Sequence, residues 1–266
     1  MISVHFLTKK ETNQEYQKSQ YLQTISSKEI STRINEHNQK ANTRIDLMHY
    51  YFNSSLDFTM EEKQHLEPII NKALKLFENH FPGVTKFLLV ENKLRLAKVQ
   101  GSLDWNFPYT LNMTIVLPQN MLKDDITSTI LHEMIHLHQK KQPHFYEEIY
   151  RNSFGFEKIN PEKIIITTNY ENYLITNPDA LKREWVIQLY DGLYLPALIY
   201  VNNSHINCLF KLRESSNPGY YLAQEPPINA KSRKDYLEII HNCKQQVDHP
   251  NEIIACIITS NIFKKI

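Results

Sequence analysis

Residues 132–136 read His-Glu-Met-Ile-His: two imidazoles four residues apart, with a carboxylate beside the first. On a helix, positions i and i+4 share a face with Cβ atoms about 5–6 Å apart, so His132 and His136 can offer two ring nitrogens to one ion. Glu133 stands one step round the helix. It is poorly placed to ligate that ion but can take a proton from a water polarised by it. This is the chemistry of metal-assisted hydrolysis, with one Zn2+ as cofactor and Glu133 as general base. A carbonyl is the electrophile, and the peptide bond of a polypeptide substrate suits the arrangement best.

A catalytic zinc site takes three protein ligands and leaves one position open for water. Two candidates can supply the third. His144 lies eight residues after His136, and Glu252 lies in His249-Pro250-Asn251-Glu252-Ile253-Ile254-Ala255 at the start of a second helix. The residues alone leave both open. His138 points to another face of the helix, and His205, His241 and His249 read as solvated or core histidines.

The motif has to be held by a rigid element. Asp124 and Asp125 open a helix, and Ile126, Ile130, Leu131, Met134, Ile135 and Leu137 carry it to about Lys141. Before it, 110–117 ends at Pro118 and reads as one strand; we expect it beside the helix as a sheet edge that pairs with an extended substrate. Thr59 with Glu62 forms a capping-box pattern, and apolar residues at helical spacing follow as far as Pro82-Gly83. Short apolar runs at 86–90 and 94–99 read as strands. A helix is expected over 144–153. A β-rich stretch follows from 162 to 212, with a hairpin at Asp191-Gly192, and two helices close the chain at 232–246 and 250–262. Asn177-Pro178-Asp179 reads as a turn, Asp179 being the member that could also serve the site. Trp105 and Trp185 read as core anchors. Lys140-Lys141 and Lys264-Lys265 read as solvated surface. Residues 9–45 are polar with a weak apolar face. We therefore divide the chain into a helical or partly ordered N-terminal arm, 1–55, and one domain, 56–266.

Composition narrows the classes. Of the 266 residues 41% are hydrophobic and 22% charged, enough for a sizeable core. The formal charge of +1 supplies no global field for nucleic acid or an anionic membrane. Three scattered cysteines, Cys208, Cys243 and Cys256, favour neither a disulfide framework nor a four-sulfur metal site. With no apolar run of signal or membrane-span length, a soluble, cytoplasmic protein is expected, a host-cell cytoplasm included.

Several blocks, in order, resemble an uncharacterised family of predicted zinc metallopeptidases of the gluzincin type, thermolysin-like in their site. They are Pro108-Tyr109-Thr110, Leu131 to His136, Phe145 to Phe156, Ile175-Thr176-Asn177-Pro178-Asp179-Ala180, Leu195 to Tyr200 and His249 to Ala255, and together they span about 107–258. The resemblance implies an α+β, zincin-like fold in which a mixed or antiparallel sheet packs on the motif-bearing helix and on a second, C-terminal ligand helix. It also implies that His132, His136 and Glu252 are the metal ligands and Glu133 the base, with His144 at a variable position. The chain departs from the family at Cys256, where the family has an Asp four residues after its ligating Glu. It departs again at Asn251, and in lacking a tyrosine upstream of His249. Tyr109, His249 and Tyr236 are then the candidates for stabilising an oxyanion. Two rival readings remain: a weakened zincin that binds zinc or a partner without turnover, and an interaction protein working through its first 100 residues with the motif an accident.

Overall fold

The computed structural model describes residues 3–35, 43–241, 243 and 246–264. The expected helix over 232–246 therefore falls partly outside the described residues, at 242, 244 and 245, as do residues 36–42 of the N-terminal segment and Lys265. The fold is mixed α+β with mixed sheets. The chain falls into two compact units, one of residues 1–142 with 258–266 and the other of residues 143–257.

The first unit begins with β1 (Ser3–Phe6), α1 (Lys9–Lys18), α2 (Tyr21–Thr24), α3 (Ser27–Asn35), α4 (Arg44–Ser54) and β2 (Ser55–Leu56). It continues with α5 (Met60–His80), β3 (Lys93–Val99), β4 (Tyr109–Leu111), β5 (Thr114–Pro118) and α6 (Thr127–Lys141). Its sheet runs β1-β3-β5-β4, with β2 added to β3; β1-β3 and β3-β5 pair in parallel, β4-β5 and β2-β3 antiparallel. Residues 1–55 thus contribute strands to the sheet and are more than an appended arm. Leu94, Leu96, Ala97, Val99, Ile115, Val116 and Leu117 are fully buried along its middle strands; β5 is a continuous apolar run of the kind expected of a strand covered on both faces, whereas Arg95 and Lys98 interrupt β3.

Two expectations need correcting here. The run 110–117 is a hairpin rather than one strand: Leu111 pairs with Thr114 across a two-residue turn in which Asn112 has φ +52°. Of these two strands β4 lies at a sheet edge and β5 lies inside the sheet, between β3 and β4. The register leaves the main-chain groups of Thr110 pointing away from β5, and its carbonyl accepts from Lys140 Nζ at 2.7 Å. A peptide pairing along β4 would find that acceptor taken, and Lys140 does more than face solvent. The run 86–90 is no strand either. Glu78 accepts from the Gly83 amide at 2.7 Å and from the Thr85 hydroxyl, drawing 85–88 into a tight 3-10 turn.

Beneath β4 lies a polar core built by the N-terminal helices. The Tyr21 and Tyr51 hydroxyls donate to Asp104 Oδ1 at 2.9 and 2.6 Å, Arg33 pairs with the same oxygen, and Glu29 accepts from Arg33 at 2.6 Å. Tyr16 and Tyr109 share a hydroxyl contact of 2.5 Å. Burial raises the pKa of all four phenols. Asp104, Trp105 and Asn106 have successive φ values of +48°, +54° and +65°. A left-handed residue other than glycine costs roughly 1–2 kcal/mol, less for Asp and Asn, and the hydrogen bonds to Asp104 help offset that cost.

The second unit contains α7 (Pro143–Phe154), β6 (Phe156–Lys158), β7 (Ile164–Ile166), β8 (Trp185–Leu189), β9 (Gly192–Val201), β10 (Ser204–Glu214), β11 (Tyr221–Ala223), β12 (Ile228–Asn229) and α8 (Lys234–Ile239). The last helix, α9 (Pro250–Phe263), counts with this unit as far as Ile257 and with the first from Ile258. Strand order is β6-β8-β9-β10-β11-β7, antiparallel except for β11-β7, with β12 beside β10. The expected hairpin joins β8 to β9, closing on Leu189 and Gly192 with Tyr190 exposed at its tip. Val186, Leu195, Ile199, Phe210 and Leu212 form the core of this sheet, with Cys208 among them. Trp185 is 4% exposed, as expected of a core anchor. Among the described residues, no helix is long and apolar enough to cross a membrane.

Candidate metal centre

Within the first unit, α6 carries the motif. Asp125 Oδ1 accepts from the Thr127 amide at 3.0 Å at the start of the helix, and His138, Lys140 and Lys141 occupy its last turn, where cations suit the helix dipole. The helix is buried nearly all round: Ile130, Leu131, Met134, Ile135 and Leu137 are buried, but so are Glu133, His136, His138 and Gln139. A helix with polar groups on its buried side is more than an amphipathic surface helix, because each such group has to be satisfied to offset its desolvation.

The two imidazoles meet. His132 Nε2 and His136 Nε2 lie 3.0 Å apart, with ring planes at 78°. Two nitrogens at about 2.0–2.1 Å from one tetrahedral ion stand about 3.3 Å apart, so small ring movements convert this contact into a pair of metal ligands. His136 Nδ1 lies 2.7 Å from Gln139 Oε1. Glu133 is 2% exposed. His138, as expected, serves the core instead: it sits among the rings of Phe77, Phe81 and Phe87 at 6.0–6.4 Å, and desolvation lowers its pKa.

Within the second unit, Glu252 lies in the first turn of α9, 3% exposed. Its Oε1 accepts from Asn177 Nδ2 at 2.9 Å. Asn177 in turn accepts the Asp179 amide at 2.8 Å, and the Ala180 amide donates to the Asn177 carbonyl at 3.0 Å, so Asn177-Pro178-Asp179 is the expected turn. The residue of that turn that touches Glu252 is Asn177, which the sequence reading did not single out. Asn251 accepts from the Tyr150 hydroxyl at 2.8 Å and donates to the Asp179 carbonyl at 2.7 Å, fastening the turn to α9. His144, the other candidate for third ligand, is exposed at the start of α7.

Asp248 and His249 precede α9 and line a small pocket with Asn177, Arg183, Trp185 and Leu198. Burial, reinforced by the charge of Glu252, raises the Asp248 pKa to about 7, and its Oδ1 has no hydrogen-bond partner. His249 Nδ1 accepts from the Asn251 amide at 3.1 Å, which places the proton of the neutral ring on Nε2.

Of the three candidates for an oxyanion donor, two have their hydroxyls committed elsewhere. Tyr109 is engaged with Tyr16, and Tyr236, fully buried, donates to the Val247 carbonyl at 2.6 Å. His249 remains. Cys256 is buried and its thiol is unoxidised. Comparison with protein-family models, with curated proteins and with solved structures finds no match.

Proposed function

We propose that this chain is a zinc-dependent metallopeptidase of the gluzincin kind, with His132, His136 and Glu252 holding one zinc ion. The observation that carries the proposal is the 3.0 Å approach of the two Nε2 atoms of α6. The donor set supports it: two imidazoles and one buried carboxylate, which accepts from Asn177 through Oε1. Such a set suits zinc and leaves a fourth position open. A zinc ion there would polarise the scissile carbonyl and bring the pKa of water down toward about 7.

The chain's own residues do the rest. Glu133 takes the proton of the attacking water as its oxygen bonds to the carbonyl carbon, and returns that proton to the leaving amine as the C–N bond breaks. His249 donates from Nε2 to the oxyanion, its ring held by the bond from the Asn251 amide. The substrate class is polypeptide.

Glu133→Gln tests the reading. The variant should retain one zinc per chain and lose peptidase activity by at least 1000-fold; undiminished activity would remove Glu133 from the mechanism. Zinc in the wild type with no turnover of any peptide library would favour the second reading, a zinc-holding protein without hydrolysis, which the thiol of Cys256 at a position of family Asp favours.

A further inference from the structure

A histidine that ligates through Nε2 must carry its proton on Nδ1, and something has to hold it there. His136 is 1% exposed and its Nδ1 lies 2.7 Å from Gln139 Oε1, an acceptor one turn further along α6. The amide oxygen can only accept, so Nδ1 donates and, in the neutral ring, Nε2 is left with its lone pair. The neighbouring ring agrees. With His136 Nε2 an acceptor, the 3.0 Å contact requires His132 Nε2–H to donate to it in the metal-free protein. With both rings neutral, this arrangement of protons satisfies both contacts. Gln139 is itself 5% exposed, and a buried amide needs such a bond to offset its desolvation.

We propose that Gln139 is the positioning residue of the metal centre: it locks His136 as the Nδ1–H tautomer and so presents Nε2 unprotonated to the ion. This rests on the zinc reading above, and it assigns the orienting role to a residue three positions after the motif.

The experiment has two arms. Nitrogen-15 NMR of the His136 ring in the metal-free, full-length wild type should show a protonated Nδ1 and an unprotonated Nε2. In Gln139→Met the ring should move to the Nε2–H form or a mixture, and in Gln139→Glu it should return to Nδ1–H. Zinc affinity, by competition with a chromophoric chelator, should fall 10–100-fold in Gln139→Met and recover to within a few-fold of wild type in Gln139→Glu. An Nε2–H ring in the wild type overturns the proposal whether or not either variant folds. So does a Gln139→Met protein that binds zinc as tightly as wild type. A wild type that shows the Nδ1–H ring but binds no zinc leaves the tautomer lock standing and removes the metal reading instead.

Discussion

Asn177 Nδ2 donates to Glu252 Oε1 at 2.9 Å, so a turn residue 75 positions earlier in the chain fixes the carboxylate of α9. The same side chain receives the Asp179 amide. A hydrogen bond to one oxygen narrows the directions the carboxylate can take, which favours a ligand of defined geometry.

Replacing Asn177 by Leu should weaken zinc binding 10–100-fold while far-ultraviolet circular dichroism stays unchanged. Asn177→Asp should be worse, because a second carboxylate faces Glu252. Equal zinc affinity in all three proteins would show that Glu252 needs no help from the turn.

The buried network around Asp104 should dominate the stability of the first unit. Arg33 and Asp104 are 3% and 5% exposed, and removing one member of a buried pair typically costs about 3–5 kcal/mol. Asp104→Ala also removes the shared acceptor of the Tyr21 and Tyr51 hydroxyls. Chemical denaturation should therefore show a loss on that order for Asp104→Ala. A loss under about 1 kcal/mol would mean that the network is no stronger than a surface pair.

What was legible in the sequence is what repeats at the period of the element. The apolar residues 130, 131, 134, 135 and 137 mark α6, and the capping box at Thr59 marks α5, which starts at Met60. The turn within 110–117 was not legible, because Asn112 lies between apolar and β-branched residues and its φ of +52° is its main signal. Nor was β1, whose four residues are too few to show a period and which joins the sheet through a partner ninety residues away. At the site, His132, Glu133 and His136 could be found because one helix spaces them. Gln139 was within reach of the same reasoning, three residues on. Asn177 was not: its contact with Glu252 closes only through the fold. Tyr16 and Tyr21 fall in the segment 9–45 that reads as a weak apolar face, because their burial depends on polar partners, which hydrophobic periodicity does not register.

Stability of the metal-free protein should fall with rising pH because of Asp248. Its folded pKa of about 7 lies above the ordinary 3.8 of the unfolded chain, so between these values the folded state holds a proton that the unfolded state has released. The contribution is complete below pH 4, is lost as pH rises through about 7, and is constant beyond. Integrated over that window it amounts to at most about 4 kcal/mol. Glu252 and Arg183 both act on this carboxyl, the first raising its pKa and the second lowering it. Asp248→Asn should flatten the dependence of unfolding free energy on pH between 4 and 7. A carboxyl carbon resonance of Asp248 that titrates near 4 would contradict the account.

A zinc ion on His132, His136 and Glu252 would show itself in X-ray absorption at the zinc edge of the purified chain. The account predicts one zinc per chain, with two imidazole nitrogens at about 2.0–2.1 Å and the remaining ligands oxygen, and with one imidazole lost from the spectrum of His132→Ala. No zinc taken up from a buffered excess, or a shell containing sulfur or a third imidazole, would contradict it.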